Sequence, residues 1–229
     1  MAEKVRALGV SADRIRVVPN WSGDDQIAPV PPGENPLRRK WKLENKFVVG
    51  YSGNLGRAHE FNTVLAAAER LRDTPQIVFA VIGGGHHFEE FARRVKTLGL
   101  DCNFCFQPYQ DEADLKYSLS LPDVHWISLR PELEGLIVPS KTYGIAAAGR
   151  PIIAITAKDG EIARLVRQYK CGVIVAPGDA DGLAQVVVDL CTDPQSTAAM
   201  GRQARTMLEA HFTDRRAFER WRGVLDHIG

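Results

Sequence analysis

From Lys46 onward the chain alternates short, unbroken apolar runs with amphipathic stretches. The runs are FVVGYSG, IVFAVIGGG, NFCFQP, VHWISL, PIIAIT and CGVIVAPGD. Between them lie TVLAAAERL, HFEEFARRVKTLG, DEADLKYSL, a loop and helix from Pro139 to Ala148, and EIARLVRQY. Strands that lack an inside/outside alternation are buried on both faces, which requires helices on both sides of a parallel sheet. The pattern therefore predicts about six strands between Lys46 and Val175 in an α/β, doubly wound, Rossmann-like fold. From Gln195 to the end the sequence reads as helical, with a break near His211-Phe212-Thr213-Asp214.

The start of the chain has a different texture. Ala2 to Val18 reads as a short amphipathic helix, a turn at Gly9-Val10-Ser11 and a brief strand from Ile15 to Val18. The following PNWSGDDQIAPVPPGENP is too rich in Pro, Gly and Asp for a helix or a central strand, and reads as a linker or hinge. An ordinary domain does not open on a loose helix and a long loop, so the chain reads as one that begins inside a longer protein. Residues 1–45 are expected to be an interdomain junction, 46–195 the Rossmann-like domain and 196–229 a C-terminal helical extension.

Composition narrows the function classes. Lys plus Arg total 29 and Asp plus Glu 28, a formal net charge of +1 that argues against a nucleic-acid-coating protein. Four cysteines in 229 residues are too sparse for a disulfide scaffold and fit a reducing compartment. No apolar run approaches membrane-spanning length, and Met1-Ala-Glu-Lys is not followed by a signal-peptide core. The expectation is a cytoplasmic protein.

In an open parallel sheet, ligands bind beyond the carboxyl ends of the strands, where loops enter helix N-termini. Three such loops stand out. In Tyr51 to Thr63, Gly53 and Gly56 permit tight turning and close ligand approach, and Arg57 and His59 offer positive charge. In VIGGGHHFEEF, the amides of Gly83, Gly84 and Gly85 can face a base, ribose or phosphate. A nicotinamide-dinucleotide domain would place an acidic residue there and carry a G-x-G-x-x-G in the first loop, so an NAD domain is disfavoured. In the third, running from Ser128 into Pro151, Pro139 suits a first helical turn, Ser140 can help cap it, and Gly149 and Pro151 stop it. Lys141 then sits at a helix N-terminus, where its charge and the helix dipole together favour an anion. Gly144 inside this helix costs about 1 kcal/mol relative to Ala and suggests close backbone approach.

Together these loops resemble the donor-binding half of a GT-B retaining glycosyltransferase, in the family 4-like group that includes bacterial polysaccharide and lipopolysaccharide enzymes. The residues that carry the resemblance are YSGNLG (Tyr51 to Gly56), PSKTYGIAAAGRP (Pro139 to Pro151), the VVPNW entry (Val17 to Trp21) and PGDADGLAQVV after the last strand. The resemblance implies that Gly53, Asn54, Gly56, Arg57, His59 and Lys141 lie around a donor diphosphate. It places Gly83, Gly84 and Gly85 beside the nucleotide, and Glu134, Gly135 and Ser140 toward the sugar or ribose. It implies no cofactor and no metal, a nucleotide-sugar donor that is first of all a UDP-sugar, and a sugar or lipid-linked acceptor. It also implies an absent N-terminal acceptor domain, a location at the inner membrane face for the full-length enzyme, and no nucleic-acid partner. The chain departs from the family in lacking the second of its usual pair of glutamates and its Arg-and-Lys pair after the first strand, where Asn54 and His59 stand. No residue is assigned as catalytic.

Other features read as structural. Asp179-Ala180-Asp181 has the paired-Asp look of a metal site, but Asp179 after Pro-Gly is better read as a helix cap. Cys102 and Cys105 have no second pair to complete a zinc site and read as buried thiols. His86-His87 lacks carboxylates at ligand spacing. Arg38-Arg39-Lys40 beside Trp41 reads as a solvated helix face rather than a lipid-facing patch. The final stretch, with Phe218, Trp221 and Leu225, is either a helix closing on its own domain or one that crosses to the partner domain. Two other functions stay open: a non-catalytic nucleotide-binding module, and a nucleotide-sugar epimerase that would use Glu132, Glu134 or Glu161. Of the cations Arg57, His59, Arg130 and Lys141, the sequence does not single out one for phosphate.

Overall fold

The computed structural model describes residues 1–23 and 27–226. Its centre is a six-stranded, all-parallel sheet in the order β3-β2-β1-β4-β5-β6. The strands are β1 (Phe47–Asn54), β2 (Ile77–Gly84), β3 (Phe104–Gln107), β4 (Val124–Ser128), β5 (Ile152–Ile155) and β6 (Gly172–Val175). Among the described residues ten α-helices accompany them: α1 (Ala2–Ala7), α2 (Pro36–Lys40), α3 (Asn62–Arg70), α4 (Phe88–Thr97), α5 (Leu115–Ser120), α6 (Lys141–Ala147), α7 (Glu161–Tyr169), α8 (Ala180–Thr192), α9 (Pro194–His211) and α10 (Asp214–Leu225). The expected fold class stands, and each apolar run became a strand.

The double burial that made the runs continuous is visible residue by residue. Trp126 of β4 and Ile153 and Ile155 of β5 join one core layer with Tyr51, Phe79 and Phe91. Their neighbours Ile127, Ile152 and Ala154 join the opposite layer with Ile145 of α6 and Met207 and Leu208 of α9. Val48, Val78 and Ala80 pack under Leu37 of α2 and Leu43. Successive strand residues point to opposite faces, so each run must be apolar throughout.

Three expectations are corrected. Among the described residues Ile15–Val18 forms no strand, and Val17 is exposed; without a partner its β-branched residues make no ladder. Arg38 is not on a solvated face. It is 3% exposed, its Nη2 lies 2.7 Å from Asp123, and its Nε and Nη1 donate to the carbonyls of Leu121 and Lys46. Cys102 is exposed in a single 3₁₀ turn before β3, and Cys105 is half-buried. As for α10, its buried residue is Ala217, while Phe218, Trp221 and Leu225 stay exposed, so it closes little of its own domain. The Asp179 reading holds: its carboxylate accepts from Gly182 N at 2.8 Å at the start of α8. In the Pro-rich segment, Asp24, Asp25 and Gln26 lie outside the described residues.

Two predictions follow from the packing. A methyl at Gly50, mid-β1, would overlap the Pro122 ring, with Cβ at 2.5 Å, so Gly50→Ala should cost roughly 2 kcal/mol in urea unfolding. His125 is fully buried, and its Nε2 donates to the Leu119 carbonyl at 2.9 Å. Burial, above all, pushes its pKa down to about 4. The unfolded chain takes up this proton near 6.5, so the stability is present above that pH and is lost as pH falls toward 4. It amounts to on the order of 3 kcal/mol. The loss of urea midpoint between pH 7.5 and 4.5 should shrink in His125→Asn, and equal acid sensitivity in both chains would place the proton elsewhere.

Candidate functional site

The order of strands reverses between β1 and β4, and this is where an open sheet leaves a crevice at its carboxyl edge. The three glycine-bearing loops meet there. β1 and β2 run in register to their ends, pairing Gly53 with Gly83 and Asn54 with Gly84. The turns continue the ladder: Leu55 N donates to the Gly84 carbonyl at 2.7 Å, and His87 N to the Leu55 carbonyl at 3.0 Å. Gly53, Gly83 and Gly85 all have positive φ. A Cβ at Gly83 would lie 2.9 Å from the Gly53 carbonyl carbon, and one at Gly85 would lie 2.8 Å from Leu55 N. The glycines are there because two turns touch backbone to backbone.

The third loop enters from across the switch point. α6 starts at Lys141, as expected, but Ser140 makes no side-chain cap; it is exposed, and Thr142 Oγ1 instead bonds the Pro139 carbonyl. The Lys141 side chain reaches back to β1. Its Nζ donates to the Tyr51 hydroxyl, to the Asn54 carbonyl at 3.2 Å and to His59 Nε2 at 3.3 Å, and sits 4.0 Å from the centre of the Tyr51 ring. Among the described residues no carboxylate pairs with it. Burial pushes its pKa down to about 7. Burial and the neighbouring lysine push His59 down to about 4, and burial raises Tyr51.

Gly53, Asn54, His59, Ser140, Lys141 and Gly144 line one cleft of about 570 Å³, together with Trp21 of the VVPNW segment. Other residues fall around it. Gly56 completes the first turn, facing the Asn54 side-chain amide. Arg57 is exposed on the same loop, and Arg130 ties the loops through its backbone amide to the Ala58 carbonyl at 3.0 Å. Gly84 is covered by the exposed ring of Tyr109, 3.1 Å from where its Cβ would stand. Glu134 is engaged elsewhere: its carboxylate accepts from Thr156 Oγ1 and lies against Gly160 at the start of α7. Gly135 adopts positive φ beside Lys4 of α1. Glu132 is exposed, and Glu161 pairs with Arg164 at 2.5 Å, so the carboxylates an epimerase would need do not line the cleft. A Cβ at Gly144 would meet Leu119 Cδ1 at an ordinary 3.5 Å, so no backbone of the chain crowds it. Among the described residues no group of three or more His, Cys, Asp or Glu is placed to hold a metal ion.

Sequence reasoning missed Tyr51, Ser128 and Tyr109. A tyrosine at the end of a buried strand, just before a glycine turn, is a detectable signal, since a buried hydroxyl needs a partner. Ser128 carries none, because it meets His59 Nδ1 through its backbone carbonyl at 2.8 Å, while its hydroxyl accepts from Glu60 N at 3.0 Å.

Comparison with known proteins gives a consistent result. Residues 34–207 match the family described as Glycosyl transferases group 1. The chain is 28% identical over 222 residues to the putative colanic acid biosynthesis glycosyl transferase WcaI of Escherichia coli, covering 95% of this chain and 50% of that protein. It is 26% identical over 212 residues to the probable glycosyltransferase WbjE of Pseudomonas aeruginosa, covering 89% and 50%. The chain thus spans about half the length of these relatives. Anabaena HepE in complex with UDP superposes with a TM-score of 0.84 at 20% identity, over 99% of this chain and 61% of that one.

The touching turns can be tested directly. Gly83→Ala should cost roughly 2–3 kcal/mol in urea unfolding, through overlap and a disallowed φ. Gly84→Ala, facing only the movable Tyr109 ring, should cost under about 1 kcal/mol by the same reasoning. Equal losses would show that the two turns are not packed on each other.

Proposed function

The chain belongs to the group 1 glycosyl transferase family, with the fold of one half of a GT-B enzyme, and from that premise we propose that its cleft binds a nucleotide-diphosphate sugar for retaining glycosyl transfer. The donor is first of all a UDP-sugar, with N-acetylhexosamines and their deoxy relatives foremost. The setting is cell-surface polysaccharide synthesis, a reading supported by the similarity to WcaI, a putative colanic acid biosynthesis glycosyl transferase.

One observation carries the reading: Lys141 Nζ, half-buried and without a carboxylate partner among the described residues, faces a cleft rimmed by glycine turns at the switch point. Cleaving a sugar–phosphate bond builds negative charge on the departing nucleoside diphosphate. A fixed cation and backbone amides stabilise that charge without reorganising. In this scheme Lys141 takes the diphosphate with Gly53, Asn54 and Gly56, His59 orients the lysine, and Arg57 supplies an outer cation. Gly83, Gly84 and Gly85 flank the nucleotide, and Gly135 and Ser140 lie toward the sugar. Glu134 would reach the sugar only after leaving Thr156.

The acceptor, whether sugar or lipid-linked, would be held by an N-terminal domain of the whole protein. The junction between the halves would fall in residues 1–45, within which Ile27, Leu37 and Leu43 pack into the core. Residues 46–195 are the donor domain and 196–229 the extension. Among the described residues no helix is long and apolar enough to cross a membrane; the whole protein would work in the cytoplasm, at the inner face of the membrane.

This chain alone should bind donor and barely transfer sugar, since half of the water-excluding cleft is contributed by the partner domain. Calorimetric titration should show binding of UDP and UDP-glucose and none of NAD. Lys141→Ala should weaken UDP-glucose at least tenfold, on the order of 1.5–3 kcal/mol for a charged hydrogen bond. Binding of NAD alone, or unchanged affinity in both Lys141→Ala and Arg57→Ala, would overturn the proposal.

A further inference from the structure

The hydrogen inventory around Lys141 has one consistent solution. The Ser128 carbonyl can only accept, so His59 Nδ1 carries the ring hydrogen and Nε2 presents a lone pair to Lys141. The Tyr51 hydroxyl donates to the Asn54 carbonyl at 2.6 Å, which turns its own lone pairs toward Lys141. The Asn54 carbonyl takes the third hydrogen. An ammonium with three N–H bonds therefore meets three neutral acceptors and the face of an aromatic ring, and no anion.

The charged and titratable groups around this cage are few. Among the described residues Tyr51 comes from β1, with Tyr109 bearing on it, and His59 comes from the β1–α3 loop. His125 of β4 feels the charges of both Arg150 and Lys141, and His87 bears on His59. Leu115 and Leu119 of α5 line the same cleft with apolar surface. All the charge influences on the imidazoles are repulsive to a further cation. A lysine so placed has hydrogen-bond partners for its ammonium but lacks the counter-charge that would hold the proton there.

We propose that Tyr51 and His59 are positioning residues that keep Lys141 in a chargeable cage, and that the donor diphosphate draws one proton onto Lys141 as it binds. This rests on the reading of the cleft as the donor site. The step is a simple protonation: the amine lone pair takes a proton from solvent, the diphosphate supplies the missing anion, and no bond of the donor is broken. With the free lysine titrating near 7, molecules below that pH are already charged and bind without proton uptake. Above it, each binding event takes up a proton, and affinity falls about tenfold per pH unit until the pKa of the bound lysine is reached.

The test is calorimetric titration of this chain with UDP-glucose from pH 6.0 to 8.5, in buffers of differing ionisation enthalpy. UDP-glucose is the probe because its diphosphate has no ionisation in this range, whereas the terminal phosphate of UDP titrates near ~6. The expected result is a Kd about thirty-fold weaker at pH 8.5 than at 6.0, with uptake rising from near zero to about one proton. Lys141→Arg should bind with flat pH dependence and no uptake, because guanidinium stays charged. Tyr51→Phe should move the midpoint of the fall to lower pH, having lost an acceptor for the ammonium; a merely structural tyrosine would weaken binding equally at every pH. Binding at all pH values with no proton uptake by the unsubstituted chain overturns this proposal and leaves the donor site standing. Failure to bind UDP-glucose at any pH overturns the donor site itself.

Discussion

A cation enclosed by neutral acceptors is an unbalanced charge, and the cleft at the switch point is arranged around one. Lys141 begins α6 on one side of the switch point, while its acceptors all come from β1 and the loop that follows. The arrangement exists only if β1 and β4 are neighbours and if α6 delivers its first residue over the β1 carboxyl end. Both conditions come from a parallel sheet buried on two faces, which leaves strand ends as the place where polar groups can gather. The close contact between the Gly53 and Gly83 turns serves the same end, since it fixes the floor against which the Asn54 carbonyl is aimed.

The sheet was legible because its physics is local. Six apolar runs needed only the inference that unalternating strands are covered twice, and β1, β2 and α7 end within a residue or two of the stretches read from sequence. What was not legible depended on distant partners. Arg38 looked like one of three surface cations because nothing near it in sequence reveals Asp123, which turns it into a buried anchor. The Ile15–Val18 stretch has strand-like residues and no strand to join. Ser140 has the right identity for a cap, but its side chain makes no cap bond to α6.

In the site, the glycines and Lys141 were readable as types in suggestive places, but the cage was not. Tyr51 was seen as one letter of a resemblance, and its hydroxyl gained meaning only when Asn54 and Lys141 were found on either side of it. Glu134 illustrates the reverse. The resemblance pointed it at the sugar, and the fold ties it to Thr156 over the start of α7.

The Arg38–Asp123 pair has a bearing on where this polypeptide can be cut. The β1–β4 seam is short, with Val49 opposite Val124 and Gly50 opposite His125. Asp123 fastens one end of that seam by accepting from Val48 N at 2.7 Å, while Arg38 neutralises the carboxylate and grips the carbonyls of Lys46 and Leu121. A fragment excised to start at the first strand would keep every strand and yet leave Asp123 without its cation at the middle of the sheet. Any cut that keeps this pair therefore lies before α2, and the stretch that looks like a connector is packed into what it connects.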